Sequence, residues 1–455
     1  MLGDFVKLID FKILITLSIL FFFQSLFFIL FYYYDVGFLW LPPFLYLISG
    51  ALYIFIRGNI KDPTGILLIG SGLYVFLPTI DGDFESYLRW GFKFSDAYYV
   101  SNISALSLLA GTLIFLFMKP RVLISNIFFV DKFLINKIMY VGAILSIFLS
   151  VILVVKNGFL FLQSANYLAG FESRGQAGMG FLMLALPLAM ISATIYFLRE
   201  DNAKNKFECI LVLLPYILIF MATAQRRYFI IPFMIFIACK LKITIKGGAI
   251  ALISTLIVYY IFLYLGYLRI NEIDLNINDI VSNFDDFNKV FPDLIAGETL
   301  LLYATQGASK TKIIESLPLF GDYFLAPLMS FPNFLFGTLF TPLNTKFSEY
   351  VTPLIAAQGG GWGFAYSAEG YISGGEFGVI LSSLLVCFIF RLIWIYSYFE
   401  NKKITLMKIF CICSLFTALF FYRNAFAYLF KDLLYVAASL IFLVIICKVY
   451  FKSIR

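Results

Sequence analysis

Between Ile13 and Tyr34 the chain reads ILITLSILFFFQSLFFILFYYY, with no charged residue. A bilayer core about 30 Å thick takes roughly 20 apolar residues of helix to cross, and this run meets that length. Comparable charge-free runs follow at Val36–Ile56, Pro63–Ile80, Ala97–Met118, Ile138–Val155, Gly175–Leu198, Cys209–Gln225 and Gly247–Leu268. Shorter or interrupted runs lie at Tyr228–Cys239, Phe377–Tyr398, Ile404–Tyr422 and Leu433–Cys447. The pattern predicts an all-α polytopic membrane protein with about twelve transmembrane helices. The N-terminus, MLGDFVKLIDFK, carries acids among its bases and no small-residue cleavage site. It predicts a retained helix rather than a signal peptide.

Composition agrees. Of 455 residues, 62% are hydrophobic and 13% charged, against about 25% charged in ordinary soluble domains. Mean hydropathy is +0.92. A soluble domain, a disordered chain and a nucleic-acid binder are excluded. There is no histidine, so no step can use imidazole as base, nucleophile or ligand. The six cysteines form no CxxC and read as small buried hydrophobes. No metal site and no cofactor are expected.

Loop charge sets the orientation. Arg57 and Lys61, then Lys119, Arg121, Lys132 and Lys137, then Lys240, Lys242 and Lys246, then Lys402 and Lys403, then Lys448, Lys452 and Arg455 fall on one side. The positive-inside rule makes that side cytoplasmic, with both termini in it. The opposite loops are acidic. Asp81–Asp96 has four acids against two bases, and Arg269–Glu376 has twelve against five. Three parts are expected: an N-terminal bundle over 1–268 with about nine helices, a periplasmic loop over 269–376, and about three helices over 377–455. Within the loop, Ile280, Phe284, Phe287 and Phe291 predict an interfacial helix over Asp279–Ala304. Tyr323–Thr345 is charge-free but holds Pro327, Pro332 and Pro342, which predicts a re-entrant or surface-lying hairpin.

Candidate chemistry lies where residues break the pattern. Arg174, Arg226, Arg227, Arg269 and Arg423 map to the side where bases should be rare. Guanidinium groups bind phosphate in a bidentate fashion, so they suit a lipid phosphate or pyrophosphate. The plainer reading is interfacial anchoring. Arg391 reads as structural, paired with a carboxylate. Gln358–Gly378, QGGGWGFAYSAEGYISGGEFG, combines glycines with Trp362, Phe364, Tyr366 and Tyr371, whose rings can stack on sugars. Glu369 lies within it, in a setting where partial burial would raise its pKa toward that of a general base. The plainer reading is a Gly-rich loop capping the next helix. Asp81, Asp83 and Glu85 could hold a divalent cation on a sugar phosphate, or be a solvated acidic loop.

Four stretches resemble one family: Asn157–Phe181, Ala222–Phe236, the loop end Gly359–Gly378, and Tyr422–Phe426, all set in the many-helix plan. The chain looks like a Wzy-type O-antigen polymerase of the bacterial inner membrane. The resemblance implies polymerisation of undecaprenyl-pyrophosphate-linked repeat units at the periplasmic face, with no cofactor. It places Arg174, Arg226 and Arg227 at functional outer-loop positions, and Arg423 less closely. In this reading Arg226 and Arg227 hold the leaving pyrophosphate and Glu369 is the base. Arg174, Arg269, Arg423, Trp362, Tyr366 and Tyr371 bind substrate. Membrane lipid and a chain-length regulator are the implied partners, with no nucleic acid. Rival readings are a flippase or lipid-linked oligosaccharide transporter, and a metal-dependent polyprenyl-phosphate glycosyltransferase. An O-antigen ligase usually depends on an outer-loop histidine, which this chain lacks.

Overall fold

The computed structural model describes residues 2–34, 38–79, 92–118, 132–158, 179–199, 205–223, 227–241, 282–311, 320–325, 343–351, 364–398 and 404–452, with isolated helical positions at 257–268 and at 353. The described residues are helical throughout, with no strand. Among the described residues, eight α-helices with defined bounds precede the acidic loop. They are α1 (Leu2–Tyr34), α2 (Leu41–Arg57), α3 (Pro63–Phe76), α4 (Phe94–Phe115), α5 (Lys132–Asn157), α6 (Met179–Leu198), α7 (Lys206–Thr223) and α8 (Arg227–Lys240). Then come α9 (Phe284–Lys310), α10 (Gly321–Leu325), α11 (Leu343–Val351), α12 (Tyr366–Tyr398), α13 (Leu406–Phe420) and α14 (Phe426–Lys452).

Seven of these stretches are long and apolar enough to cross a membrane: Ile9–Tyr34, Phe94–Phe115, Lys132–Asn157, Lys206–Thr223, Tyr366–Ser397, Leu406–Arg423 and Phe426–Val449. Four shorter apolar helices lie at Leu41–Arg57, Pro63–Thr79, Leu184–Leu198 and Ile230–Lys240. The run Gly247–Leu268 falls mostly outside the described residues. Large apolar side chains stay on the outside, Phe22 at 62% and Val155 at 77% exposure, as a lipid-facing surface requires. The chain is a multi-pass membrane protein.

Contacts show which helix ends lie together. At one end Arg57 meets Asp10 at 2.5 Å and Asp62 at 3.4 Å, and Tyr53 donates to Asp62 at 2.6 Å. There, too, the Cys411 thiol meets the Lys61 carbonyl at 3.5 Å. Arg199 pairs with Glu208 at 2.9 Å, and Lys240 donates to the Arg199 carbonyl at 3.3 Å. Among the described residues Arg391 meets no carboxylate. Its Nε donates to the Phe115 carbonyl at 3.1 Å and its Nη2 to that of Leu116, so it closes the C-terminal end of α4. Freed carbonyls at a helix end carry partial negative charge, which makes them a partner for a guanidinium. At the opposite end Lys310 pairs with Asp96 at 2.9 Å.

The acidic loop does not stand apart from the bundle. Helix α9 runs past Ala304 to Lys310, and Tyr303–Ser309 are buried between α4 and α12. Gly307 permits this, because a Cβ there would sit 3.1 Å from the Lys93 carbonyl oxygen. In the first turns of the expected interfacial helix, Phe284 and Lys289 face outward while Phe287 is buried. The expected hairpin at Tyr323–Thr345 lies mainly outside the described residues.

The decisive feature is α12. It is two helices broken at Gly374 and Gly375, the latter at φ 61°. The pieces fold back on each other. A Cβ on Gly378 would lie 2.0 Å from the Gly370 carbonyl oxygen, and one on Gly370 would lie 2.9 Å from Ser382 Oγ. Tyr366 and Ser383 hydrogen-bond at 3.0 Å. The pairs 370/379 and 366/383 are both centred between Gly374 and Gly375, as in an antiparallel hairpin. Ser383 lies eight residues past Gly375, so Tyr366 is about 12 Å below the tip at 1.5 Å per residue. From Phe364 onward, the Gly-rich window is therefore not an open loop. Tyr366–Ser373 is a re-entrant helix, and glycine serves its close contact with the spanning piece. Phe320, at φ 57°, sits over the tip, where a Cβ on Gly374 would lie 2.5 Å from its ring.

Candidate functional site

Around the deep end of the re-entrant helix lies a buried polar cluster. Tyr366 Oη contacts Ser104 Oγ at 2.7 Å as well as Ser383. Gln306, from α9, donates to Ser367 Oγ and to Tyr422 Oη, each at 2.7 Å. Tyr422 also lies 3.4 Å from Ser101 Oγ. The Ala365 N–H donates to Thr305 at 3.3 Å. These groups come from α4, α9, α12 and the turn after α13, so the cluster ties the loop helix, the re-entrant helix and the C-terminal pair together. Buried polar groups need such partners, since an unmade bond costs about 1–3 kcal/mol.

Arg423 ends the 3₁₀ turn Phe421–Arg423 between α13 and α14. It is half-buried. Its carbonyl accepts from the Phe364 N–H at 3.2 Å, which puts the turn level with the deep end of the re-entrant helix. Glu369 is 2% exposed, and its Oε2 accepts from the Phe426 N–H at 2.5 Å. That N–H opens α14, and a carboxylate there meets both an orphan donor and the positive end of the helix dipole. The two stretches singled out in the sequence, the Gly-rich window and YRNAF, are thus in direct contact.

A second group faces outward. Glu376 opens the spanning piece of α12 and is exposed. Its Oε1 accepts from Tyr99 at 3.3 Å and from Tyr371 at 3.4 Å. Lys310 Nζ lies 4.5 Å from the centroid of the Tyr99 ring. Burial pulls the Lys310 ammonium down, but the Asp96 hydrogen bond and charge outweigh it, so the pKa ends above the ordinary lysine value.

The expected site residues divide. Glu369, Tyr366, Tyr371 and Arg423 come together around one hairpin. Tyr366 is fully buried with its hydroxyl spanned by two serines, so it packs the site from beneath and has no face left for a sugar. Arg227 opens α8, whose other end lies by Arg199. Since α13 also leaves that end and packs on α8, Arg227 and Arg423 share the opposite one. Arg174, Arg226, Arg269, Trp362, Asp81, Asp83 and Glu85 lie outside the described residues. Among the described residues no group of three acids, cysteines or histidines could hold a metal. Gln306 and Tyr99 escaped the sequence reading, and Tyr422 entered it only as the first residue of YRNAF. The available signal was QGAS at 306–309, a polar residue followed by small ones on a helix that must pack closely.

A bundle of apolar helices around a re-entrant half-helix, with a recessed arginine turn at its deep end, defines a polytopic membrane protein with a polar site below one surface. The chain belongs to the O-antigen polysaccharide polymerase Wzy family, which matches residues 13–453. No curated protein and no solved structure matches it. Family membership gives the chain a polymerase role in O-antigen synthesis.

Proposed function

We propose that this protein polymerises undecaprenyl-pyrophosphate-linked oligosaccharide units at the periplasmic face of the inner membrane. The observation that carries the reading is the recessed Arg423 turn clamped to the re-entrant helix. A pyrophosphate at the membrane surface meets cations there, while its lipid tail stays among apolar helices. The acceptor sugar hydroxyl forms a bond to the anomeric carbon of the donor glycan. The bond from that carbon to pyrophosphate breaks, and undecaprenyl pyrophosphate leaves with the electron pair. In this reading Arg423, together with Arg174, Arg226, Arg227 and Arg269, offsets the charge on the leaving group. Trp362 and Tyr371 supply faces for the glycan.

The acceptor proton needs a base that the sugar can reach. Glu369 is 2% exposed and its Oε2 is already taken by the Phe426 N–H, so an incoming sugar hydroxyl does not reach it. Glu376 is exposed and takes two phenol hydroxyls, so we assign the base to Glu376. A chain-length regulator is the expected protein partner. The broken helix also suits a transporter, but the family membership favours the polymerase.

The test is a lipid-A glycan ladder from cells lacking this gene. One repeat unit per lipid A is the expected result. Absence of all glycan would point to a flippase or ligase instead.

A further inference from the structure

Resting on the polymerase reading, we propose that Glu369 is a positioning residue that sets Arg423 in place, rather than the base. Two bonds join the re-entrant helix to the arginine turn. The Phe364 N–H donates to the Arg423 carbonyl at 3.2 Å, and the Phe426 N–H donates to Glu369 Oε2 at 2.5 Å. They bracket Arg423 in sequence, one at the residue itself and one three residues later. The turn is also bonded within itself, Asn424 N–H to the Phe421 carbonyl at 2.9 Å and Tyr428 N–H to that of Ala425 at 3.0 Å. It therefore moves as a unit, and Glu369 sets its depth against the re-entrant helix.

Glu369 is suited to this task by its place. It follows Tyr366 by three residues, so it lies on the same side of the short helix as the side chain that anchors the deep end. Tyr371 lies two residues on, on the opposite side, where it meets Glu376. The short helix thus presents one face to the arginine turn and another to the exposed carboxylate. The outer tip is fixed separately by the Phe320 ring packed over Gly374. A helix held at tip and base transmits the position of Glu369 to Arg423 with little slack.

The roles separate by substitution. An amide oxygen accepts an N–H but is no useful base, so Glu369→Gln keeps the clamp in weaker form. A charged acceptor is roughly twice as strong as a neutral one, so polymer should fall by about fivefold or less in Glu369→Gln. Glu369→Ala leaves the N–H of Phe426 unmet and should cost more than about tenfold. Both variants are made in the full-length protein, in cells lacking the native copy. Polymer is read on gels and in membrane vesicles that carry their own lipid-linked repeat units. In the vesicles, Glu369→Gln should keep the wild-type pH profile.

A second readout does not depend on activity. With Asn424→Cys, labelling by a membrane-impermeant maleimide should speed up by about fivefold or more in Glu369→Ala and stay near wild type in Glu369→Gln, as local opening requires. In an Arg423→Lys background the Glu369→Ala loss should shrink, because both changes act on one element. Equal, complete loss in Glu369→Gln and Glu369→Ala with unchanged labelling would overturn the proposal and return Glu369 to the role of base. Normal polymer in Glu369→Ala would overturn it as well. Wild-type vesicles that extend no glycan would sink the polymerase reading instead, while the labelling ratio still decides the clamp.

Discussion

The two ends of the bundle bury polar groups in opposite ways. At the Arg57 end the buried groups are ions in pairs: Arg57 with Asp10 and Asp62, and Arg199 with Glu208. At the Lys310 end the deep cluster is neutral hydroxyls and one amide, from Ser101, Ser104, Gln306, Tyr366, Ser367 and Tyr422. Among the described residues, charge lies around that cluster, in the Lys310–Asp96 pair and at Glu369, Arg423 and Glu376. Paired ions lock an end, because breaking a buried pair leaves an uncompensated charge. Neutral groups let a helix break and re-enter the membrane with its backbone satisfied, without setting a strong field beside the arginine turn. One end is built to hold still, and the other to hold a site.

The largest test of that contrast is at the locked end. Arg57→Ala leaves Asp62 buried without its cation and should cost about 3–5 kcal/mol. The measurable result is loss of protein from the membrane, and Asp62→Asn added to it should restore part of the yield. Full accumulation of Arg57→Ala alone would break the comparison. At the site end, Arg423→Ala should leave the protein level unchanged and cut polymer by about 10²–10³-fold, the loss typical for removing a charge-stabilising donor. Arg423→Lys should recover little, since a point charge cannot make a bidentate contact. Full recovery by lysine would return Arg423 to an interfacial anchor.

Smaller effects sharpen the picture. Gly378→Ala drives a methyl into the Gly370 carbonyl and should cost about 1–3 kcal/mol through displacement of the re-entrant helix. Thermal unfolding in detergent reads the cost, and polymer should fall with it. Gln306→Leu removes two hydrogen bonds to Ser367 and Tyr422, for roughly 1–3 kcal/mol. The exposed pair Lys289–Asp286, 2.6 Å apart, is the control. Lys289→Ala should leave the thermal unfolding of the protein unchanged, as surface pairs do.

Particular residues show how far the sequence could be read. The membrane class and the helical fold followed from Ile13–Tyr34 and its successors, because period and length decide what can cross a bilayer; the family came from a resemblance carried by four stretches between Asn157 and Phe426. The stretches YRNAF and GGGWGFAYSAEGYISGGEFG were recognisable as a site, since arginine and a glycine-aromatic cluster stand out from an apolar background. Their roles were not. The glycines look the same in sequence whether they admit a ligand or a second helix. Tyr366 reads as a sugar platform until Ser104 and Ser383 close on its hydroxyl. Arg391 reads as half of an ion pair until the end of α4 supplies carbonyls.

Local pattern thus determined which segments are apolar enough to suit a membrane and which residues stand out within them. Only the tertiary structure decided what those residues touch. The re-entrant turn at Gly374–Gly375, the bond from Phe426 to Glu369 and the meeting of Gln306 with Tyr422 join positions 57 to 116 residues apart, apart from the turn itself. Hydropathy reports the solvent around a segment. It carries no record of the partner that a distant segment brings, and in this protein the partner decides whether a polar residue is an anchor or part of a site.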